Sequence, residues 1–525
     1  METLRKNRTL FITLAVLVLL FVLAIRGMDT ADWVITLLRG IAVGAVTFLV
    51  ASGLSLIFGL LDVLSLAHGA LFLIGAYIGW TVYVRPDTVI DLLPAIMLLL
   101  AGLLLRPLWG RFVGRLQVPS KGDRGLWALA ARAAPWALLL LVALIVVVAL
   151  SGWPIAKWDQ TIAADSPASN ALSLDQTTKA GQPRLPFDPV ERGSAWALLA
   201  FLGGGLLSGL ALSGLTQLRG EPVAPVRWKT LIAPALLLLI GLVAYLANDG
   251  ITAWLMSLHT TWMFLLAILV AVITGAALGG LLEVGLIRPL YARPIYQLML
   301  TLGVGVVGIE LVRAIWGKTE FTMPKPAIFQ GSGDGCPATS LSGWLANHCS
   351  TFELLGARLR AYNEVFIILV GVIVLIAVWL LLKRTRLGMI IRAGVQDSQM
   401  VEALGINVRR IFTLVFALGA GLAALGGVVA GPAVGLSPYM GESYLIVALI
   451  TLAIGGLTSF PGAAAASLLV GLLQQFIIKY GQIGINLPFT DAVFKPTPPL
   501  VPASTVLLMV VILLLLPQGL FGRKE

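Results

Sequence analysis

Charge is scarce in this chain of 525 residues: 12% are Asp, Glu, Lys or Arg, three are His and two are Cys. A soluble globular domain carries about twice that charged share, so a water-facing surface all round the molecule is excluded. The histidines, His68, His259 and His348, stand far apart and lack the Ser or Cys partners that nucleophilic catalysis requires. No catalytic constellation is expected. Two cysteines in one polar loop are too few for a thiolate metal site, and neither a metal nor a cofactor is expected. The net charge of +11 would suit nucleic acid, but the basic residues fall in clusters between apolar runs, the pattern of membrane topology instead. No nucleic-acid partner is expected.

What is abundant is apolar surface. The hydrophobic share is 58% and the mean hydropathy +0.96. Apolar runs of roughly 17 to 25 residues recur, long enough to cross a hydrocarbon core as helices, whereas a barrel would show short alternating segments. About fourteen such runs are read, the first near 10–25 and the last near 502–517. The expected fold is an all-α polytopic membrane protein of about 12–14 transmembrane helices. The first run, Leu10 to Ile25, follows Arg5, Lys6 and Arg8 and is followed by no small-residue cleavage site. Residues 1–35 are therefore expected to form an uncleaved anchor helix.

Placing the basic N-terminus in the cytoplasm and alternating sides puts Arg106, Arg111, Arg115, Lys121, Arg124 and Arg132 inside. Arg219, Arg227, Lys229, Arg288, Arg293 and the terminal Arg523 and Lys524 also fall inside, so both termini are expected in the cytoplasm. Two long loops, 151–194 and 317–363, fall outside and are rich in Pro, Ser, Asp and Gly. Cys336 and Cys349 share the second, where an oxidising compartment would allow a disulfide.

Two places break the apolar pattern. In "GLSLIFGLLDVLSLAHGALFLIGAYIG" a block longer than one bilayer is interrupted by Asp62, Ser65, His68 and Gly69. An ionisable group at the bilayer centre costs on the order of 3 kcal/mol, and irregular backbone at that depth is tolerated where it lines a cavity. Residues 62–69 read equally as a helix break beside a translocation pathway or as an ordinary cytoplasmic turn with His68 capping a helix. "GVGVVG", "GAGLAALGG" and "AIGGLTSFPG" supply small residues at the spacing that lets helices approach closely in lipid. They are not dinucleotide fingerprints, because no strand precedes them. "GKT" at 317–319 is not a phosphate loop, because Val312 stands where that motif needs Gly. Glu310 and Arg313 are spaced to pair on one helix face. Glu283 and Arg288 bracket the inner end of another span, and Glu442 opens a later one near the outside.

The second break is polar and long. In 383–410, Leu387, Ile390, Ile391 and Val395 share one helical face, Asp397 suits an N-cap, and Met400, Val401 and Leu404 form the next apolar stripe. Gly405 is placed as a C-cap and Asn407 as the cap of the following span. Two short amphipathic helices between spans suit either docking into a partner's groove or lying on the membrane surface.

"GLSLIFGLLDVLSLAHG", "RPLYARP", "RTRLGMIIRAGVQDSQMVEALGINVRRI", "GGLTSFPGAAAASLLVGLL" and "PQGLFGR" occur in this order. Together they resemble the permease subunits of ABC importers for branched-chain amino acids and their relatives for urea and short amides. The resemblance covers about 36–84 and 270–525, with Ser65 where relatives carry Asn. It implies a type II ABC importer-like permease fold, with core parts at 36–84 and 261–525 and an inserted helical region at 85–260. It implies a cell inner membrane location and ATP-driven alternating access without chemistry on the substrate. It implies two ATP-binding subunits, a second homologous permease or a self-dimer, an extracytoplasmic substrate-binding protein and surrounding membrane lipid. ATPase coupling would fall on Arg386, Leu387, Gly388, Arg392, Ala393, Asp397, Ala403, Leu404 and Gly405, and the translocation pathway on Asp62, Ser65, His68 and Gly69. An ion-coupled secondary transporter using Asp62 and Glu310 is the alternative, although it leaves the polar segment without a purpose. A lipid-acting membrane enzyme lacks a convergent acid, base or metal cluster.

Overall fold

The computed structural model describes residues 28–521 apart from 62, 114–125, 152, 154–193, 219–227, 292, 321, 334, 397 and 487–492. The anchor expected over 1–35, the external loop 151–194, and Asp62 and Asp397 therefore fall wholly or largely outside the described residues. Among the described residues the structure is mostly helical, with nine helices long and apolar enough to cross a membrane, one bent helix pair that adds a tenth, and three shorter apolar helices. These thirteen coincide with the expected runs after the first.

The described residues form two compact units, one reaching Tyr83 and resuming at His259, the other lying between Val84 and Leu258. The first opens with α1 (Thr30–Leu61) and α2 (His68–Val84). The second holds α3 (Pro86–Leu104), α4 (Arg106–Val113), α5 (Leu126–Ser151), α6 (Ala195–Leu218), α7 (Trp228–Leu246) and α8 (Asn248–Ser257). Its helices pack around Ala95, Ala149, Ala197 and Phe201, with Trp153 against Phe201 and its indole N–H donating to the Asp91 carbonyl at 2.9 Å. The Asp91 carboxylate accepts from the Asn248 amide at 2.8 Å, satisfying a charge in an apolar helix. Apolar helices α7 and α8 meet at a 78° bend.

The first unit continues with α9 (Thr260–Leu282), a π-helical turn Glu283–Ile287 and α10 (Pro294–Trp316). A compact cap follows: α11 (Leu341–Asn347), then an antiparallel hairpin of β1 (Thr351–Leu354) and β2 (Ala357–Arg360) with Thr351 opposite Arg360. A disulfide joins Cys336 to Cys349, whose Cα atoms are 5.5 Å apart. Ala357 and Leu359 bury against Val34, seating the cap on the first turns of α1. Then come α12 (Ile367–Arg384), the short α13 (Arg386–Gln396) and α14 (Ser398–Ala403), α15 (Val408–Val434), α16 (Met440–Gly455), α17 (Phe460–Ile483) and α18 (Leu500–Leu515). The cap and the α13–α14 segment thus lie at opposite ends of one span, α12. After α18 the chain turns back, and the Leu520 and Phe521 amides donate to the Ile454 and Gly455 carbonyls at 2.8 and 3.1 Å. This satisfies carbonyls that the end of α16 would leave bare.

Small residues set the crossing of α9 and α15. A methyl at Gly279 of α9 would run into the Ala420 side chain of α15 and come 3.2 Å from the Phe416 carbonyl. At Gly280 a methyl would meet nothing nearer than 3.6 Å. Gly279→Val should therefore cost about 1–3 kcal/mol by overpacking and lower the thermal midpoint of the detergent-solubilised protein. Gly280→Ala, one residue on, should leave it unchanged.

Candidate functional site

The break between α1 and α2 is not a simple turn. Val63, Ser65 and Ala67 are buried, and the chain runs back so that His68 packs against α1 well before its end. A methyl at Gly53 would lie 2.8 Å from His68 Nε2, eight residues before Leu61, or about 12 Å of helix. The unwound stretch therefore lies alongside the last turns of α1, with the Leu66 amide donating to Thr301 Oγ1 of α10 at 3.3 Å. Ser65 Oγ is buried without a hydrogen-bond partner, and the fully buried His68 ring lies against α1 beside the Val50 backbone. The side chain of His68 does not cap the helix that it starts. Gly69 abuts α16: a methyl there would come 2.5 Å from the Gly441 carbonyl oxygen. Ser65, His68 and Gly69 thus share one buried site among α1, α2, α10, α15 and α16, while Asp62 lies outside the described residues.

At the far end of α12, local chemistry shapes the polar segment. Thr385 leaves the helix in extended conformation, and its hydroxyl accepts from the Gly388 amide at 3.1 Å, starting α13. Gly388 is buried so closely beneath the Leu381 and Leu382 carbonyls that any Cβ would collide with them. Ile391 is buried in the core formed by Leu56, Val374, Val378 and Val415. Gly405 has φ +82° and donates to the Glu402 carbonyl, while Ile406 donates to Val401, the paired bonds of a Schellman termination. The Asn407 side chain then caps α15 by accepting from the Arg410 amide at 3.2 Å.

The expected stripe of Met400, Val401 and Leu404 divides. Val401 is buried, whereas Met400 is 63% and Leu404 74% exposed, with Met389 at 60%. Periodicity marks apolar residues but not which flank the tertiary structure covers. Arg386, Arg392, Ala393, Ala403 and Gly405 are exposed, Leu387 is half-buried, and Asp397 lies outside the described residues.

A buried charge cluster ties this segment to the helix bundle. Glu283 is fully buried, and both its oxygens are engaged by Arg288, through Nε at 3.0 Å and Nη2 at 2.8 Å. Its carboxylate also accepts from the Tyr291 hydroxyl at 2.6 Å and the Thr413 hydroxyl at 2.7 Å. Four donors fill the acceptor capacity of a carboxylate. Burial, and then the Glu283 carboxylate, hold the Tyr291 phenol well above its usual range, keeping it a donor. The residues from "RPLY" and the π-turn are thereby fastened to the first turns of α15, directly after the α13–α14 segment. The sequence sets Glu283 and Arg288 at one end of a span but gives no sign that they pair or that Thr413, 130 residues away, joins them. At the cap end, Glu364 is buried and accepts from Arg39 Nε at 2.9 Å and from the Arg360 amide. Glu310 and Arg313 form a more exposed pair, with Arg313 stacked over Tyr439 at 4.8 Å.

The sequence is similar to branched-chain amino acid transport permeases. It is 25% identical over 274 residues to the LivH permease of Escherichia coli (strain K12), covering 52% of this chain and 79% of that protein. It is 30% identical over 218 residues to the BraD permease of Pseudomonas aeruginosa, covering 41% and 65%. A fructose import permease of Rhizobium meliloti, FrcC, is 28% identical over 150 residues, covering 28% and 41%. No solved structure matches the chain. Residues 36–207 and 240–517 match the profile of the family described as branched-chain amino acid transport system / permease component, and the chain belongs to that family.

Proposed function

We propose that this chain is the membrane-spanning translocation subunit of an ABC importer for branched-chain or other amino acids, worked by ATP-driven alternating access. Urea and short amides are the alternative cargo. The observation that carries this reading is the 386–410 segment: two capped short helices seated on the bundle through Ile391 and Val401, presenting Met389, Met400 and Leu404 outward. A surface helix would turn its apolar side chains toward the acyl chains next to the bundle. Here the bundle already takes one flank, and the other is left for a protein groove. An ATP-binding subunit on the cytoplasmic side is the expected occupant, with hydrolysis carried out there and not on this chain. A second homologous permease or a second copy would complete the pathway within membrane lipid. The extracytoplasmic substrate-binding protein would deliver at the disulfide-bonded cap, and both termini are expected in the cytoplasm. Movement of the segment would reach α9 and α15 together through the Glu283 cluster.

The test is uptake of radiolabelled L-leucine into proteoliposomes holding the co-purified complex, with the binding protein outside and ATP inside. Uptake should require ATP and stop with a non-hydrolysable analogue. Accumulation by this chain alone, driven by an ion gradient, would overturn the proposal.

A further inference from the structure

The cap end of the first unit holds an open cavity of about 240 Å³. Its lining is mixed: aliphatic side chains of α1 (Ala42, Val43, Val46), α12 (Ile367) and α15 (Ala433, Val434) stand among Arg39, Arg360, Asn363, Glu364, Tyr444 and Gln475. Arg39 Nε donates to Glu364, and the second Glu364 oxygen accepts from the Arg360 amide. Arg360 and Asn363 both have polar side-chain atoms left over. The Arg360 guanidinium forms no ion pair or hydrogen bond with the described residues, and the Asn363 side-chain oxygen is buried without a donor. A carbonyl oxygen shielded from water favours a ligand that brings a donor.

We propose that this cavity is a transit site for a zwitterionic α-amino acid with an aliphatic side chain. The Arg360 guanidinium receives the carboxylate, and the Asn363 Oδ1 accepts from the ammonium. The aliphatic residues of the lining take the side chain. A guanidinium matches a carboxylate in a two-point geometry that an ammonium or amide does not. The described charges of the lining, Arg39, Arg360 and Glu364, leave one positive charge over, which disfavours a ligand that carries only an amine. Neither urea nor a hexose offers a carboxylate, so the site separates the amino-acid reading from those cargoes. The inference rests on the transporter reading above for why an amino acid would arrive here, but not for whether it binds.

The experiment measures equilibrium binding of radiolabelled L-leucine to the purified full-length chain in its co-purified complex, without binding protein or nucleotide. 4-Methylpentanoate and isoamylamine serve as competitors, lacking the ammonium and the carboxylate respectively. L-Leucine should bind saturably, Arg360→Gln should weaken it about tenfold or more, and Arg360→Lys should retain part of the affinity. 4-Methylpentanoate should compete better than isoamylamine. Arg360 is exposed, so its replacement leaves folding intact, and an unchanged gel-filtration profile checks this. Unaltered binding in Arg360→Gln, or no saturable binding by a wild-type complex that transports L-leucine, overturns this inference alone. A wild-type complex that binds L-leucine but moves it without ATP overturns the importer reading and leaves the site standing.

Discussion

Replacing Glu283 with Ala should be among the most destabilising single changes in the first unit, lowering stability by about 3 kcal/mol or more. The carboxylate is fully buried and receives four donor contacts, two from Arg288 and one each from Tyr291 and Thr413. Its removal leaves a partly buried guanidinium without a counter-charge and the Tyr291 hydroxyl without its acceptor, while Thr413 turns to the Arg409 carbonyl at 3.0 Å. Breaking one side of such a pair costs more than the pair was worth, because the other charge stays desolvated. Thermal unfolding of the detergent-solubilised chain should drop by at least about 5 °C. Glu283→Gln should lose less, since one oxygen still accepts while the new amide N–H groups face Arg288. The Glu283→Ala and Arg288→Ala double variant should lose less than the sum of the singles, because the second change removes the stranded charge. Additive losses would show that the cluster is not one unit.

What was legible in the sequence follows a simple physical division. Features governed by neighbours along the chain were readable: Gly405 closes α14 because a left-handed φ favours glycine, and Asn407 caps α15 because its side chain reaches the amide three residues on. The apolar runs were readable because bilayer thickness fixes their length. Features set by distant packing were not. Whether residues 62–69 formed a turn or an unwound stretch depended on His68 finding Gly53, and no pattern in the block itself states that contact. Thr413 enters the Glu283 cluster only because α9 and α15 cross through Gly279, Phe416 and Ala420. Arg360 and Asn363 carried no sequence signal either. They become a candidate site only because α1 and α15 bring aliphatic residues to the same cavity.

Leu404→Arg should abolish coupling without harming the fold. The side chain is 74% exposed and follows α14 directly, one helical turn after the exposed Met400, whose carbonyl accepts from the Leu404 amide at 3.2 Å. A surface change of this kind shifts the stability of the chain itself by no more than about 0.5 kcal/mol. In the centre of a protein–protein contact, the same change places an unpaired charge where an apolar anchor sat, and losing such an anchor costs about 2 kcal/mol or more. ATP-driven L-leucine uptake should therefore fall at least about tenfold. The ATP-binding subunits should no longer co-purify, while the thermal midpoint of the isolated chain stays put. Val401→Arg, aimed at the buried flank of the same helix, should instead lower that midpoint, because Val401 is covered by the bundle. The two neighbours thus separate the docking face from the structural face. If Leu404→Arg transports normally in a stable complex, the exposed flank is not the contact, and the ATP-binding subunit must bind elsewhere on the chain.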